Sequence, residues 1–444
     1  MIKNLFSQVY LGLRWYLLMG SCVLFFVIAF FIDGLLEIAI IYTAFSAVLS
    51  LVDLYLLFFM KGTILGSRIM APRFSLGDEN QVTVSLANTF PYPVRVSILE
   101  QLPAQFQVRH FFRKTKMEYM GRVSINYRLR PLTRGVYEFG ELLCYTQTQL
   151  GLLHRKIAAA PAANVKAYPS YLQLKKHQLL ATTQNTHTGT RRVRRLGHSM
   201  EFEKIKNYVQ GDDIRTINWK ATARSGDLMV NTYTDAREQQ VFAVIDKGRA
   251  MKMPFEGMTL LDYAINASLS LLNVVLLKND RAGLITFSNK PASMIPAERR
   301  SGQLHVILET LYKQETEYKE SDYEALLASI VRKVNQRSFL LLFTNFETMA
   351  AMERQLPYLK KLSARHLVCV VFFQNTLLRE IHESQPDNTE GIYIKTIAAQ
   401  FDFEKKQIVK ELRRHGILSI LTTPGALTTD VINKYMELKA KQMV

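Results

Sequence analysis

Two stretches decide the first question about this chain: WYLLMGSCVLFFVIAFFI, from Trp15 to Ile32, and LLEIAIIYTAFSAVLSLVDLYLLFF, from Leu35 to Phe59. The first run carries no charge, and the second is interrupted only by Glu37 and Asp53. A helix needs about 20 apolar residues to cross roughly 30 Å of hydrocarbon, so each run is close to spanning length. Only Asp33 and Gly34 separate them, which predicts a tight transmembrane helical hairpin over residues 1–69. A cleaved signal peptide would need a small-residue cleavage site, whereas this apolar run continues into a second one. Met19-Gly20-Ser21-Cys22 is a poor lipoprotein box, because Met opens it and the apolar stretch before it is short. Cys22 therefore reads as a plain membrane-helix residue.

Outward from the hairpin the charges are asymmetric. Lys3 and Arg14 precede it, Lys61, Arg68 and Arg73 follow it, and the turn holds only acids. The positive-inside bias puts both ends in the cytoplasm, so a multi-pass protein of the cell (inner) membrane with cytoplasmic soluble domains is expected. Glu37 beside the turn can sit at the headgroups. Asp53, near the opposite end, is expected to reach the interface rather than to serve an ion path.

The whole chain has 444 residues, about three typical domains, with 48% hydrophobic and 21% charged residues, which excludes a largely disordered protein. Its formal charge of +18 suits an anionic membrane surface, an acidic partner or nucleic acid without choosing among them. Nucleic-acid binding would rest on charge alone and is disfavoured. Cys22, Cys144 and Cys369 are an odd number without CxxC spacing, which excludes a disulfide scaffold and a cysteine-rich zinc site.

Past the hairpin the apolar period becomes two. Gln81–Ala87, Val94–Ile98, Val123–Leu129 and Val136–Phe139 alternate apolar and polar residues between turn signals such as Gly77-Asp78 and Pro91-Tyr92-Pro93. A small antiparallel β-sandwich is predicted over residues 70–165. Ala158-Ala-Ala-Pro-Ala-Ala163 is read as a linker or sandwich exit, and residues 166–239 as linker and signature segment. From residue 240 to 444, continuous apolar strands (241–245, 282–287, 339–343, 367–373, 417–421) alternate with helical stretches. That pattern predicts an α/β domain with a doubly wound, mostly parallel sheet covered on both faces. Ligands of such sheets bind beyond the strands' carboxyl ends, here after Ile245, Phe287 and Phe343.

Templates for catalysis fail. There is no G-x-S-x-G elbow, H-E-x-x-H, Walker loop or G-x-G-x-x-G, and His187 and His198 lie in a polar segment without ligand spacing. Arg191-Arg-Val-Arg-Arg195 is either a solvated loop or a lipid- or partner-facing cluster.

One segment is dense in chemistry: MEFEKIKNYVQGDDIRTINWKATARSGDLMVNTYTD, residues 200–235. Gly211-Asp212-Asp213 is a turn whose acids can cap the short segment after it. Arg215 and Arg224 are placed to pair with those acids or with Glu201 or Glu203, while Asn218 offers an amide hook and Trp219 a large ring to anchor the segment. This grouping resembles the signature of the domain-of-unknown-function family fifty-eight. The matching positions are Glu201-Phe202, Tyr208, Gly211-Asp212-Asp213, Arg215, Ile217-Asn218-Trp219, Ala221, Ala223-Arg224, Leu228 and Val230. Pro131-Leu-Thr-Arg-Gly-Val-Tyr-Glu-Phe-Gly140 in the β-domain also fits.

The resemblance implies a membrane-anchored protein with a von Willebrand A-like domain, partnered by a MoxR-type AAA ATPase and concerned with assembly or activation of protein complexes. It implies no enzyme activity and no cofactor. A metal site of the von Willebrand pattern would need Asp-x-Ser-x-Ser and later threonine and aspartate ligands. Here Asp246-Lys247-Gly248-Arg249-Ala250 keeps the aspartate but has Gly248 and Ala250 in place of the serines, and the later loops offer Ser321-Asp322 and Thr344-Asn345. Octahedral oxygen ligation is so eroded that no bound metal is expected, with Asp246 paired to Lys247 or Arg249 instead. The expected function is a membrane-anchored cytoplasmic scaffold binding a protein partner through the signature. The alternative is an enzyme of unknown reaction using Asp212, Asp213, Arg215 and Arg224.

Overall fold

The computed structural model describes residues 8–32, 34–108, 111–170, 200–210, 212–235, 238–376, 381 and 388–443, with the backbone alone at 200–204 and 232–235. The chain divides into two compact units, Met1–Leu172 and Gln173–Val444.

The first unit begins with a short strand, β1 (Val9–Leu11), followed by helices α1 (Leu13–Phe31) and α2 (Leu35–Phe58). Gly34 turns the chain between the helices at φ 88°, a conformation that favours glycine. The helices meet through small residues, with Ala29, Ala39 and Ser46 buried, and Ser21 Oγ lies 2.9 Å from Tyr42 OH. Their outer faces are apolar and bare: Phe30 is 84% and Phe31 78% exposed. Both helices are long and apolar enough to cross a membrane.

Ten strands come next: β2 (Ile64–Met70), β3 (Arg73–Ser75), β4 (Asn80–Asn88), β5 (Val94–Glu100), β6 (Phe111–Met117), β7 (Arg122–Leu129), β8 (Gly135–Phe139), β9 (Leu142–Gln147), β10 (Leu153–Ala160) and β11 (Ala163–Tyr168). They form three sheets, ordered β1-β10-β9-β5-β6, β2-β4-β7 and β3-β11-β8, antiparallel except for β3 beside β11. The alternation read from sequence points inward to one core, containing Val82, Val84, Leu86, Val96, Ile98, Tyr137, Phe139 and Cys144. The alanine run is not an exit from this domain. Ala158–Ala160 ends β10 and Ala163 opens β11, because small side chains suit tightly packed strands around the Pro161 turn. The 131–140 stretch owes its character to Tyr137, whose hydroxyl donates back to the Thr133 carbonyl at 2.8 Å and pins the approach to β8.

Asp53, near the C-terminal end of α2, is fully buried, accepting the Leu152 and Leu153 amides at 3.0 and 2.8 Å and the Thr148 hydroxyl. Arg155 donates to the Leu57 carbonyl at 2.7 Å, and Arg14 to the Leu150 carbonyl at 2.9 Å. The acid in α2 is thus a clasp for the β9–β10 turn. A polar group that sequence periodicity leaves stranded in an apolar helix is met by a neighbouring loop's backbone.

The second unit opens with a hairpin, β12 (Met200–Asn207) and β13 (Met229–Asp235), whose connection holds the short helix α3 (Trp219–Ser225). The α/β part runs β14 (Gln240–Asp246), a small hairpin of β15 (Pro254–Phe255) and β16 (Met258–Thr259), α4 (Leu260–Leu277), β17 (Arg281–Phe287), β18 (Pro291–Glu298), α5 (Gln303–Tyr312), α6 (Tyr323–Lys333), β19 (Phe339–Phe343), α7 (Met349–Ser363), β20 (Leu367–Phe373), α8 (Thr389–Arg414), β21 (Leu418–Thr422) and α9 (Leu427–Ala440).

The sheet order is β18-β17-β14-β19-β20-β21, parallel except for β18 at its edge. β18 escapes prediction because Pro291 and Pro296 interrupt it, and proline in sheets is confined to edges and strand starts. Alternate residues of β14 feed two cores: Val241, Ala243 and Ile245 pack with α4 and α9, and Phe242 and Val244 with α6, α7 and α8. Burial on both faces is why these strands read as unbroken apolar runs. Helix α4 is also apolar and long enough to span a bilayer, but most of it is buried in this core. The chain departs from β14 first to β17 and later to β19 on the other side, which makes the carboxyl ends of β14 and β19 the switch point of the sheet.

Candidate functional site

At that switch point Asp246 ends β14 and is 3% exposed. One carboxylate oxygen accepts the Gly248 amide at 2.8 Å and the Ser321 hydroxyl; the other accepts the Thr344 hydroxyl at 2.7 Å. Tyr323 OH lies 2.8 Å from Thr344 Oγ1 and stands edge-on to Phe287. Burial raises the Asp246 pKa above the ordinary carboxylate value, and the hydroxyl and amide donors pull against that shift. The expected ion pair with Lys247 or Arg249 does not form. Lys247 turns to Glu317 Oε1 at 3.1 Å, and Arg249 reaches toward Glu320. Glu317 also accepts the Ser288 hydroxyl at 2.7 Å, and these two contacts hold its pKa below the usual range.

Gly248 and Ser321 explain one another. A Cβ at position 248 would overlap Ser321 Oγ, so the later loop's hydroxyl occupies the space a side chain at 248 would need. Ala250 stands in the short 3-10 turn Arg249–Lys252 and brings no polar atom. Asp246 is thereby enclosed by the chain's own donors and works as a knot tying the loops after β14, before α6 and after β19. Ser321 and Thr344 were visible in the sequence as the later loops' offerings. Tyr323, Glu317 and Ser288 were not, because only the sheet's crossovers bring their loops together.

The signature hairpin has a different character. Gly211 lies outside the described residues, as do Arg191–Arg195, His187 and His198. Asp212 accepts Lys206 Nζ at 2.7 Å and the Val209 amide at 3.0 Å, closing the turn. Asp213 caps the 3-10 turn Ile214–Thr216 through the Arg215 amide at 3.0 Å. Asn218 caps α3: its Oδ1 accepts the Ala221 amide at 3.0 Å, and its Nδ2 donates to Asn231 Oδ1 at 2.9 Å. The amide hook and the cap from Asp213 are as read, whereas Asp212 bonds back to Val209 and Lys206 instead of capping the segment after it.

The ion pairs and the ring do not. Among the described residues Arg215 and Arg224 meet no acid, because Asp212 is engaged by Lys206 from β12 and Asp213 by backbone. Glu201 and Glu203 have no described side chains. Trp219 is not an anchor in a core but 70% exposed, beside an equally exposed Ile214. What buries this segment is Val230, at 1% exposure. Lys206 is the residue sequence reasoning missed here; strand pairing brings it to the turn. Among the described residues no group of three or more His, Cys, Asp or Glu could hold a metal ion.

The curated relative "Uncharacterized protein YeaD" of Bacillus subtilis (strain 168) is 23% identical over 227 residues, covering 48% of this chain and 53% of that protein. The chain thus spans about half the length of the relative it matches. Among solved structures, the CARDB domain of the PF1109 protein from Pyrococcus furiosus aligns with 24% of this chain and 93% of its own at 6% identity and a TM-score of 0.17. A β-glucosidase from Listeria innocua aligns with 24% of this chain and 16% of its own at 10% identity and the same score. Scores this low bear on neither fold nor function. The informative match is the family described as "Protein of unknown function DUF58", over residues 204–391. Those residues carry most of the signature hairpin and the sheet from β14 to β20, and over them the chain is similar to the DUF58 family.

Proposed function

We propose that this protein is a membrane-anchored, cytoplasmic interaction scaffold whose 200–235 hairpin presents a partner-binding face, and that the partner is a MoxR-type AAA ATPase acting in assembly or activation of protein complexes. The observation carrying this reading is the exposure of the signature. Trp219, Ile214, Arg215 and Arg224 are held outward by a turn whose caps and strand pairs are internally satisfied. Tryptophan and arginine supply a disproportionate share of binding energy at protein interfaces, and a bare tryptophan contributes little to folding. The enzyme alternative loses its basis, since Asp212 and Asp213 are committed to structural hydrogen bonds and are not set against each other as acid and base.

The reading of the α/β part as von Willebrand A-like is supported by the sheet order and by the position of Asp246 at its switch point. The apolar hairpin with its basic flanks supports cytoplasmic placement. The deciding experiment is capture of a purified MoxR-type ATPase by the detergent-extracted full chain. Trp219→Ala and Arg224→Ala should abolish capture while leaving the melting temperature unchanged; capture insensitive to both would overturn the assignment of the face.

A further inference from the structure

Beyond Asp246, the carboxyl edge of the sheet opens into a cleft of about 360 Å³. Its walls are apolar: Phe255 and Leu260 come from the segment after β14, Phe373 from the end of β20, and Phe401 from α8. Among the described residues one cation lines it, Lys405 of α8, whose ammonium donates to Asn345 Oδ1 at 2.8 Å and to the Phe346 carbonyl. Lys247, Lys434 and Lys439 of the same unit each reach a carboxylate, but among the described residues Lys405 reaches none. Of the cleft's two acids, Asp402 is engaged by Gln374 at 2.9 Å and Lys406 at 2.7 Å, and exposed Glu347 acts on Lys405 only through its charge, without an ion pair.

An ammonium drawn out of water with only neutral acceptors is costly, and an anion brought by a ligand relieves that cost. Burial accordingly lowers the Lys405 pKa to about 8. The volume lies in the range of small-molecule pockets, which are mostly apolar with few polar groups fixing orientation.

We propose that this cleft binds a small organic carboxylate on an apolar body, its charge received by Lys405 and its body by Phe255, Leu260, Phe373 and Phe401. This is independent of the partner assigned to the signature hairpin. The test is calorimetry on the full chain in lipid nanodiscs, with empty nanodiscs as reference and 4-phenylbutyrate and 4-phenylbutanol as probes. The acid should give saturable, one-site heat and bind at least about tenfold more tightly than the alcohol. Lys405→Gln should remove that preference, Lys410→Gln should keep it, and Glu347→Gln, which strips a competing rim carboxylate, should tighten the acid. Equal binding of acid and alcohol to the native protein, or no saturable heat at millimolar acid, would overturn the proposal, and neither result depends on the Lys405 variant folding.

Discussion

The Asp246 loops and the 200–235 hairpin are equally rich in polar residues, yet they use them in opposite ways. Around Asp246 each carboxylate oxygen has a donor; Asp246 and Thr344 are buried and Ser321 half-buried. In the hairpin the caps and the Lys206–Asp212 pair are satisfied internally, while Trp219 and the two arginines face water. Buried polar groups must be paired by the fold itself, whereas exposed ones remain free for another molecule. The contrast assigns shape to the first region and recognition to the second.

The largest effect should come from breaking the buried knot. Asp246→Ala leaves the Ser321 and Thr344 hydroxyls and the Gly248 amide without their acceptor; at about 1–3 kcal/mol per orphaned group, a loss of roughly 3 kcal/mol or more is expected in chemical denaturation. The pH dependence sharpens the point. Asp246 ionises at a higher pH in the folded state than the ordinary value of 3.8, so stability falls as pH rises from that value through the folded pKa. Asp246→Asn should flatten that acid-side slope; an unchanged slope would remove Asp246 as its origin.

Next in size, Tyr137→Phe removes the hydroxyl that donates to the Thr133 carbonyl and accepts the Thr133 amide at 3.3 Å, and should cost about 1–2 kcal/mol in the same measurement. A smaller effect still is expected in the hairpin, where Trp219→Ala and Arg215→Ala should each alter stability by no more than about 0.5 kcal/mol. A drop of several kcal/mol for either would return the signature to a structural role and erase the comparison. The smallest expected effect is that of Mg²⁺. With Asp246 enclosed by Ser321, Thr344 and Gly248, calorimetry at millimolar Mg²⁺ should show no saturable heat, and a micromolar site would mean that the knot opens to a cation.

Much of the architecture was legible because it rests on periodicity. Phe339–Phe343 and Leu367–Phe373 were read with the boundaries the structure gives, since a strand buried on both faces leaves an unbroken apolar run. Gln303–Tyr312 likewise declares itself as a helix. The edge strand Pro291–Glu298 was hidden by its prolines, and the alanine run mimicked a linker because small residues serve both purposes. For the candidate sites, residue types were legible and their partners were not. Asp213 and Asn218 act as caps because capping is local, reaching two or three residues along the chain.

By itself, then, the sequence determined the apolar helix pair, the alternation of the β-region, the α/β order and the positions of the caps, all of which arise from contacts within a few residues. Only the tertiary structure decided which charges are met. It gave Asp53 the amides of Leu152 and Leu153, Asp246 the hydroxyls of Ser321 and Thr344, and Asp212 the ammonium of Lys206, while leaving Lys405 in a largely apolar cleft with no ion pair among the described residues. Hydrogen bonds and ion pairs act over a few ångströms in space, and for Asp53 and Asp246 the fold brings together residues 75 to 100 positions apart.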